Sequence, residues 1–478
     1  MSGKVDSLKY KPVTPNILSK LEEIVGSENL SIRPEELICY ARDSSIFVYK
    51  PDVVLRPRTT EEVAAILMVA NENHIPVTPR SGGTSAAGSP LAVGKGILLD
   101  MSGMTKIISI NIDNQMVVVE PGVLCDNLNE ELAKSGFFFP PDPASSQACS
   151  IGGMVNTNAS GNRTIKYGPT RDYVLWLEVV LPNGKIIETG SKTLKSVSSY
   201  DLTRLFVASE GSLGVVTKVA LKVVPLPESY STAFFIYESV DALARAALRI
   251  RRAGMVPEML EFMSRATTKV TFNYVGIKSV PDGNFMLLDF GGVREAVGVL
   301  LEKGVTLCRQ ESPTYFETTV DPVYRQSLVN ARKAAFPALA RLKPTTVMED
   351  CTVPPTRLPE VASSIEKIPE KIGVAGFDLG NFGHIGDGNM HPTFLFDSRI
   401  EEHRKAFLRA LDILYEEIVL PVGGSVTGEH GIGLIRAKYV GIEHPSTVSL
   451  MRELKRFFDP NLILNPGKGK GGPYPIDA

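Results

Sequence analysis

Near the end of the sequence, Gly383-His384-Ile385-Gly386-Asp387-Gly388-Asn389-Met390-His391 is followed, about forty residues on, by Gly428-Glu429-His430-Gly431. These two segments hold three of the chain's six histidines. Two imidazoles and a carboxylate form a ligand set for a borderline divalent cation, so His384, His391 and Glu429 are candidate metal ligands. His430, beside the carboxylate, is a candidate proton acceptor. His384 and His391 lie seven positions apart, a spacing that puts them on opposite faces of a straight strand. A turn at Gly386-Asp387-Gly388 removes that obstacle, because glycine accepts positive φ and Asp-Gly favours a hairpin, so the two rings can converge. Alone, the first segment is better read as a pair of histidines exposed or hydrogen-bonded to the turn backbone. The second cluster, in a chain poor in histidine, favours the metal site.

Composition limits what else the chain can be. Its 478 residues exceed one core and suggest roughly three folding units. Hydrophobic residues make up 43% and charged residues 22%, as in soluble globular proteins. A net charge of −2 argues against a nucleic-acid footprint or a polybasic membrane surface. The start, Met1-Ser2-Gly3-Lys4-Val5-Asp6, has no apolar stretch behind its lysine, and no run of some eighteen apolar residues occurs, so no transmembrane segment and a cytoplasmic location are expected. Cysteines at 39, 125, 149, 308 and 351 are scattered and odd in number, without Cys-x-x-Cys. They support neither a disulfide framework nor an iron–sulfur cluster, so redox chemistry would need another cofactor.

Several elements are predicted to carry the chemical groups. Thr14-Pro15 starts a helix that Gly26 ends. Asp52 to Leu55 reads as a strand, Thr59 and Glu62 as a capping box for a helix over Val63 to Ala70, and Ile75 to Pro79 as the next strand, parallel to the first. The loop that follows, Arg80-Ser81-Gly82-Gly83-Thr84-Ser85 with Gly88 behind it, suits a pyrophosphate held by backbone N–H groups or an ordinary surface loop. Between 97 and 225 short strands dominate: Ile97 to Asp100, Met116 to Glu120, Val174 to Leu181 and Val215 to Val224, with Asn183-Gly184 as a hairpin turn. Small-residue loops interrupt them at Pro140 to Ser146, Ser150 to Ala159 and Ser209 to Gly214. Three such loops in one α+β region suit a long extended ligand such as a dinucleotide. Neither a Rossmann nor a P-loop glycine pattern is present.

From Thr232 the order is β-α-β twice over: Thr232 to Tyr237, helix Val240 to Arg252, Met259 to Phe262, then Asn284 to Phe290, helix Val293 to Lys303 ended by Gly304, and a strand Val305 to Arg309. That order predicts a ferredoxin-like sheet. Helical stretches are expected at Pro322 to Ala340, Arg399 to Val419 and Ser446 to Phe458. Asn461 to Gly472 reads as a flexible tail.

Read together, the segments resemble the FAD-linked oxidoreductases of the vanillyl-alcohol oxidase type, most closely the D-2-hydroxyacid dehydrogenase branch with glycolate oxidase catalytic subunits and D-lactate dehydrogenases. The resemblance runs from Pro57 to Gly469. It rests on Pro79 to Ser85, Pro140 to Ser145, Ile151-Gly152-Gly153, Lys166-Tyr167-Gly168, Ser209 to Gly214, the two histidine segments and Asn465-Pro466-Gly467. It implies an α+β fold: a two-subdomain FAD-binding domain over residues 1–226, a ferredoxin-like substrate cap with the metal-ligand loop over 227–425, and a C-terminal segment 426–478 returning to the FAD domain.

The FAD contacts it implies are Arg80, Ser81, Gly82, Gly83, Thr84, Ser85, Gly88, Pro141, Ser145, Ile151, Gly152, Gly153, Asn156, Asn158, Glu210, Gly214, Val216, Asn389 and Asn465, mostly through backbone N–H groups. The first glycine loop lacks the histidine to which some relatives link the flavin, so non-covalent FAD is expected. Arg332, within Ala331 to Pro337, matches the place where relatives hold the substrate carboxylate, a task suited to a planar guanidinium; a solvated helix arginine is the plainer reading. Phe336 and Met348 occupy positions that are polar in some relatives, which favours D-lactate or glycolate over 2-hydroxyglutarate.

The implied reaction takes a D-2-hydroxy acid to the 2-oxo acid. Zinc, manganese or iron held by His384, His391 and Glu429 acidifies the hydroxyl, His430 accepts its proton, and hydride passes to the flavin. Electrons then go to a separate acceptor: a quinone, a cytochrome, or an iron–sulfur or electron-transferring flavoprotein subunit. Two rivals share the scaffold. An alkyl transferase has a run of histidines where Glu429 precedes the single His430, and a non-catalytic flavin subunit is expected to lack the ligands altogether.

Overall fold

The structure, a computed structural model, describes residues 10–278 and 280–468. The expectations that fall on the first six residues and on Gly469 to Gly472 lie outside the described residues. Two compact units emerge: the described parts of Met1–Ser160, Pro169–Pro225 and Glu429–Ala478 form one, and Gly161–Gly168 with Leu226–Gly428 form the other. Among the described residues no helix is long and apolar enough to cross a membrane.

The first unit starts as its caps dictate. Thr14 caps the helix Pro15–Val25, which ends at Gly26 with φ +82. Thr59 accepts from the Glu62 amide at 3.2 Å to start the helix Thr60–Glu72. The box is only half reciprocal, because the Glu62 carboxylate reaches back to the Arg58 amide, not to that of Thr59. A four-stranded sheet follows, ordered Leu30–Ser31, Val53–Leu55, Ile97–Asp100, Val77–Arg80. Val53–Leu55 and Val77–Arg80 are parallel as expected, yet Ile97–Asp100 lies between them and pairs with both. Its Ile97, Leu98 and Leu99 are fully buried, the mark of a central parallel strand covered on both faces. A second sheet of five antiparallel strands, with Val215–Lys222 at its centre, includes the hairpin Val174–Val180 and Ile186–Gly190 around Asn183-Gly184.

Two expectations fail here. Ser150 to Ala159 is not a loop: Ser150 caps a helix, Ile151–Thr157, and Gly152 serves close packing, since a Cβ there would lie 2.5 Å from Pro121. Nor is the stretch from Asn461 a tail as far as it is described. Leu462, Ile463 and Leu464 are buried, and Leu464 bridges to Val77 at the edge of the parallel sheet.

The second unit is built on a seven-stranded antiparallel sheet, ordered Tyr315–Thr319, Ser229–Tyr237, Asn284–Gly292, Met259–Met263, Phe382–His384, Asn389–Met390, Cys351–Thr352. The first four strands, with helices Val240–Arg252 and Arg294–Arg309 packed on them and on each other, form the ferredoxin-like core. Gly304 does not end the second helix, and Val305 to Arg309 is helix, not strand. Gly304 is instead a point of close approach, where a Cβ would sit 2.9 Å from Leu288 and 3.2 Å from Phe290. The long helix expected over Arg399 to Val419 changes character midway, from α over Glu401–Asp412 to π over Ile413–Val419.

Arg325, on the helix Pro322–Lys333 that also carries Arg332, holds this helix to the sheet. Its guanidinium bonds both oxygens of the fully buried Asp289, at 2.5 to 3.1 Å, and Thr232 donates to the same carboxylate at 2.6 Å. Arg325→Ala leaves that carboxylate buried without its counter-ion and should cost about 3–5 kcal/mol. Urea unfolding checks this, and an unshifted midpoint would refute it.

Candidate functional site

In the second unit the histidine segment folds as the hairpin its glycines foretold. Phe382–His384 pairs with Asn389–Met390 in the register His384 to Asn389, and the hairpin adds to the core sheet beside Met259–Met263. His384 and His391 are nearly buried, and their rings meet edge to face with centroids 5.2 Å apart. Gly388 at the turn has φ +91, and a Cβ there would lie 2.3 Å from the Val353 carbonyl. Only glycine fits that backbone.

Each imidazole meets a buried carboxylate. His384 Nδ1 lies 2.8 Å from Glu261 Oε1, and His391 Nδ1 lies 3.6 Å from Asp350 Oδ1. Asp350, fully buried, accepts from Asn389 Nδ2 at 2.6 Å, from Thr427 Oγ1 at 2.5 Å and from the Gly428 amide at 2.8 Å. It therefore fixes both the hairpin and the two residues that precede Glu429 in the sequence. Tyr415, in the π segment, donates to Glu349 at 2.7 Å and to the Asp350 carbonyl at 3.0 Å. Asn389 uses its amide N–H groups on Asp350, Cys351 and Thr352, while its buried Oδ1 has no hydrogen-bond partner among the described residues. Arg332 is 3% exposed; its Nη2 lies 2.9 Å from Glu261 Oε2 and its guanidinium stands over the Phe382 ring. It is not the solvated helix arginine of the plainer reading.

In the first unit, Glu429 accepts from Ser160 Oγ at 2.7 Å, and His430 Nε2 lies 3.6 Å from Glu429 Oε1. The turn after His430 is clamped. Glu210, held at φ +51, accepts from the amides of Ile432 at 2.7 Å and Gly433 at 3.1 Å, and Arg436 donates to the Gly431 carbonyl. Asn465, another expected cofactor contact, also staples, donating to the carbonyls of Ser89 and Glu210. Lys468 donates to Asn465; it is buried, and burial pushes its ammonium down to about 7 against the opposing pull of Glu210 and Asp43.

The expected FAD loops lie in the same unit. A Cβ at Gly82 would stand 2.4 Å from the Ala148 carbonyl, Gly83 has φ +65, and Ser150 Oγ donates to Ser81 Oγ at 2.5 Å. Arg80 faces the Tyr40 ring, and Thr84 and Ser85 continue the loop to Gly88, whose amide donates to Asp43. The amides of Ile151, Gly152 and Gly153 donate to Val123, Pro121 and Ser150. Asn156 holds the Gly211 amide and Asn158 that of Arg171. Gly214 and Val216 pack beside Val179, Pro141 lies against Cys125, and Ser145 accepts from Ala148.

These residues fit FAD. The glycines let these loops pack closely on the protein's own backbone and side chains, and the buried hydroxyls of Ser89 and Ser209, which have no hydrogen-bond partner among the described residues, suit a polar ligand. Sequence reasoning missed Glu261, Asp350, Glu210's clamping role and Lys468. The signal for Glu261 was a carboxylate in the middle of the apolar strand Met259-Leu260-Glu261-Phe262-Met263, and for Asp350 the acidic pair Glu349-Asp350 after a β-rich run.

Comparison with known proteins identifies the family. The profile "FAD binding domain" matches residues 51–190, and "FAD linked oxidases, C-terminal domain" matches residues 226–469. The chain is 37% identical to glycolate oxidase subunit GlcD of Bacillus subtilis over 95% of its own length and 97% of that protein. It is 32% identical to a D-lactate dehydrogenase of Anaerostipes hadrus over 96% and 98%. Among solved structures, 4-ethylphenol oxidase from Gulosibacter chungangensis superposes with a TM-score of 0.76 at 20% identity, covering 96% of this chain and 97% of that one. An alkyldihydroxyacetonephosphate synthase gives 0.75 at 17%, covering 97% and 86%. At such identities these two likenesses speak for the α+β fold of vanillyl-alcohol oxidase type flavoproteins alone. With FAD-type loops in one unit, a ferredoxin-like sheet in the other and curated relatives matching end to end, the chain belongs to the FAD-linked oxidoreductases of the glycolate oxidase and D-lactate dehydrogenase type.

Proposed function

We propose that this enzyme oxidises a small D-2-hydroxy acid, D-lactate or glycolate, to the 2-oxo acid with the help of a divalent cation bound by His384, His391 and Glu429. The observation that carries the reading is the buried hairpin on which two imidazoles face each other, each with its Nδ1 turned to a buried carboxylate. Carboxylate-backed imidazoles are the usual dress of metal-ligating histidines, because the carboxylate fixes the ring and leaves the other nitrogen for the ion. When bound, non-covalent FAD supplies a hydride acceptor, and zinc, manganese or ferrous iron supplies Lewis acidity for the substrate hydroxyl.

The chain's own groups do the rest. Arg332 orients the substrate carboxylate with its guanidinium. His430 accepts the hydroxyl proton, and Glu210's clamp on Ile432 and Gly433 keeps the following turn from drifting. Phe336 and Met348 pack against the apolar core of the second unit, which favours a short substrate without a second carboxylate. Five free, scattered cysteines cannot ligate a cluster, so electrons leave for a partner, an iron–sulfur or electron-transferring flavoprotein subunit. A cytoplasmic location suits such a chain.

Anaerobic mixing with D-lactate, L-lactate, glycolate and D-2-hydroxyglutarate tests the reading directly. Flavin absorbance should bleach with D-lactate or glycolate and persist with the other two; bleaching by L-lactate, or by none, defeats it. His430→Ala should keep its FAD and lose turnover by about a hundredfold or more. Turnover within a few-fold of the parent would remove His430 from the proton transfer. Chelation should abolish turnover, and added Zn²⁺, Mn²⁺ or Fe²⁺ restore it, whereas a metal-free protein of full activity would end the cation's part in the reaction.

A further inference from the structure

Glu261 is the least expected charge in the second unit. It sits at 1% exposure in the middle of Met259–Met263, and its neighbours on the same strand face, Met259 and Met263, belong to the apolar core cluster. A carboxylate in such surroundings is costly unless every oxygen is satisfied. Its two oxygens divide their work: Oε1 lies 2.8 Å from His384 Nδ1, and Oε2 lies 2.9 Å from Arg332 Nη2. Both partners are themselves buried, at 7% and 3% exposure. A buried ion pair kept only for stability has no need of the imidazole, and apolar replacements of such pairs are often as stable. The contact with His384 is what stability leaves unexplained.

We propose that Glu261 is a positioning residue that ties the cation-binding hairpin to the anion-binding arginine. By accepting from His384 Nδ1–H it turns the ring so that Nε2 carries the lone pair offered to a cation. By pairing with Arg332 on its other oxygen it holds the guanidinium in one orientation. The carboxylate is thereby a rigid spacer, and displacement of either partner is felt by the other. Arg332, although no ligand, therefore contributes to how well the hairpin binds a metal ion.

The inference rests on the cation reading above, and Co²⁺ titration of the metal-free holoenzyme, followed by the visible Co²⁺ bands, separates the two. Wild-type protein should bind one equivalent, and His384→Ala should lose it. Glu261→Ala should bind Co²⁺ about 10- to 100-fold more weakly at unchanged FAD content, while Glu261→Gln, which keeps an acceptor for Nδ1–H, recovers most of the affinity. Arg332→Met should weaken Co²⁺ binding by at least about twofold, the low end of coupling between contacting residues. This variant also carries the test if Glu261→Ala fails to fold. Wild-type affinity in both Glu261→Ala and Arg332→Met overturns the positioning role while leaving the cation site intact. Equal losses in Glu261→Ala and Glu261→Gln overturn the orienting hydrogen bond. A wild-type protein that takes up no Co²⁺ overturns the cation reading and this inference with it.

Discussion

An imidazole can be kept inside an apolar sheet only if its ring N–H finds an acceptor, and the second unit is organised around buried carboxylates set beside its two imidazoles. Leaving such a donor unpaired costs about 1–3 kcal/mol. Glu261 meets it for His384 at 2.8 Å, and Asp350 stands 3.6 Å from the corresponding atom of His391. Those carboxylates need partners in turn. Arg332 serves Glu261, while Asn389, Thr427 and the Gly428 amide serve Asp350. The helix Pro322–Lys333, the strand Cys351–Thr352 and the hairpin are thereby bound to one another through polar contacts whose loss would strand a charge. The π segment at Ile413–Val419 belongs to the same design, since it delivers Tyr415 to Glu349 and to the Asp350 backbone.

The first unit solves a different problem with different means. There the requirement is close approach of backbone, and the glycine loops serve it by omission: Gly82 against Ala148, Gly152 against Pro121, Gly214 against Val179. What keeps such side-chain-poor loops in place is a set of charged side chains turned inward. Glu210 accepts from the turn after His430, and Lys455 donates to the carbonyls of Ser212 and Leu464 and to Asp459. Burial pushes the Lys455 ammonium down while Asp459 pulls it up. Rigid loops made of small residues thus depend on buried charges near them.

Local signals with one physical cause were legible in the sequence. Thr14-Pro15, Asn183-Gly184 and Gly386-Asp387-Gly388 each name a cap or turn whose geometry needs no tertiary help, and each folds accordingly. Gly304 and Ser150 to Ala159 misled because a glycine reads the same whether it ends a helix, loosens a loop or admits a neighbouring side chain; only packing distinguishes these. Glu62 shows the same limit on a smaller scale, capping Arg58 where the pattern pointed to Thr59. At the site, the histidines were visible because they are few and framed by glycine. Glu261 and Asp350 were not, because a lone carboxylate in a strand acquires meaning only from what the sheet brings to it. Ile97–Asp100 inserted between two predicted neighbours for a reason of that kind, since strand order is a property of the assembled sheet.

On the proposed reading, charge balance gives a reason for the cation. Arg332 and Glu261 together are neutral, so a substrate carboxylate meeting the guanidinium gains a geometric match but little net attraction. The imidazoles of His384 and His391 add nothing while they act as ligands, since a ligating imidazole is neutral. On the proposed reading the missing positive charge comes with the ion. Two units from a divalent cation offset Glu429 and the buried Asp350 beside His391, so that without the ion a monocarboxylate would meet uncompensated negative charge. On this reading the ion therefore answers to carboxylates that the chain itself supplies, Glu429 and the buried Asp350, before any substrate arrives.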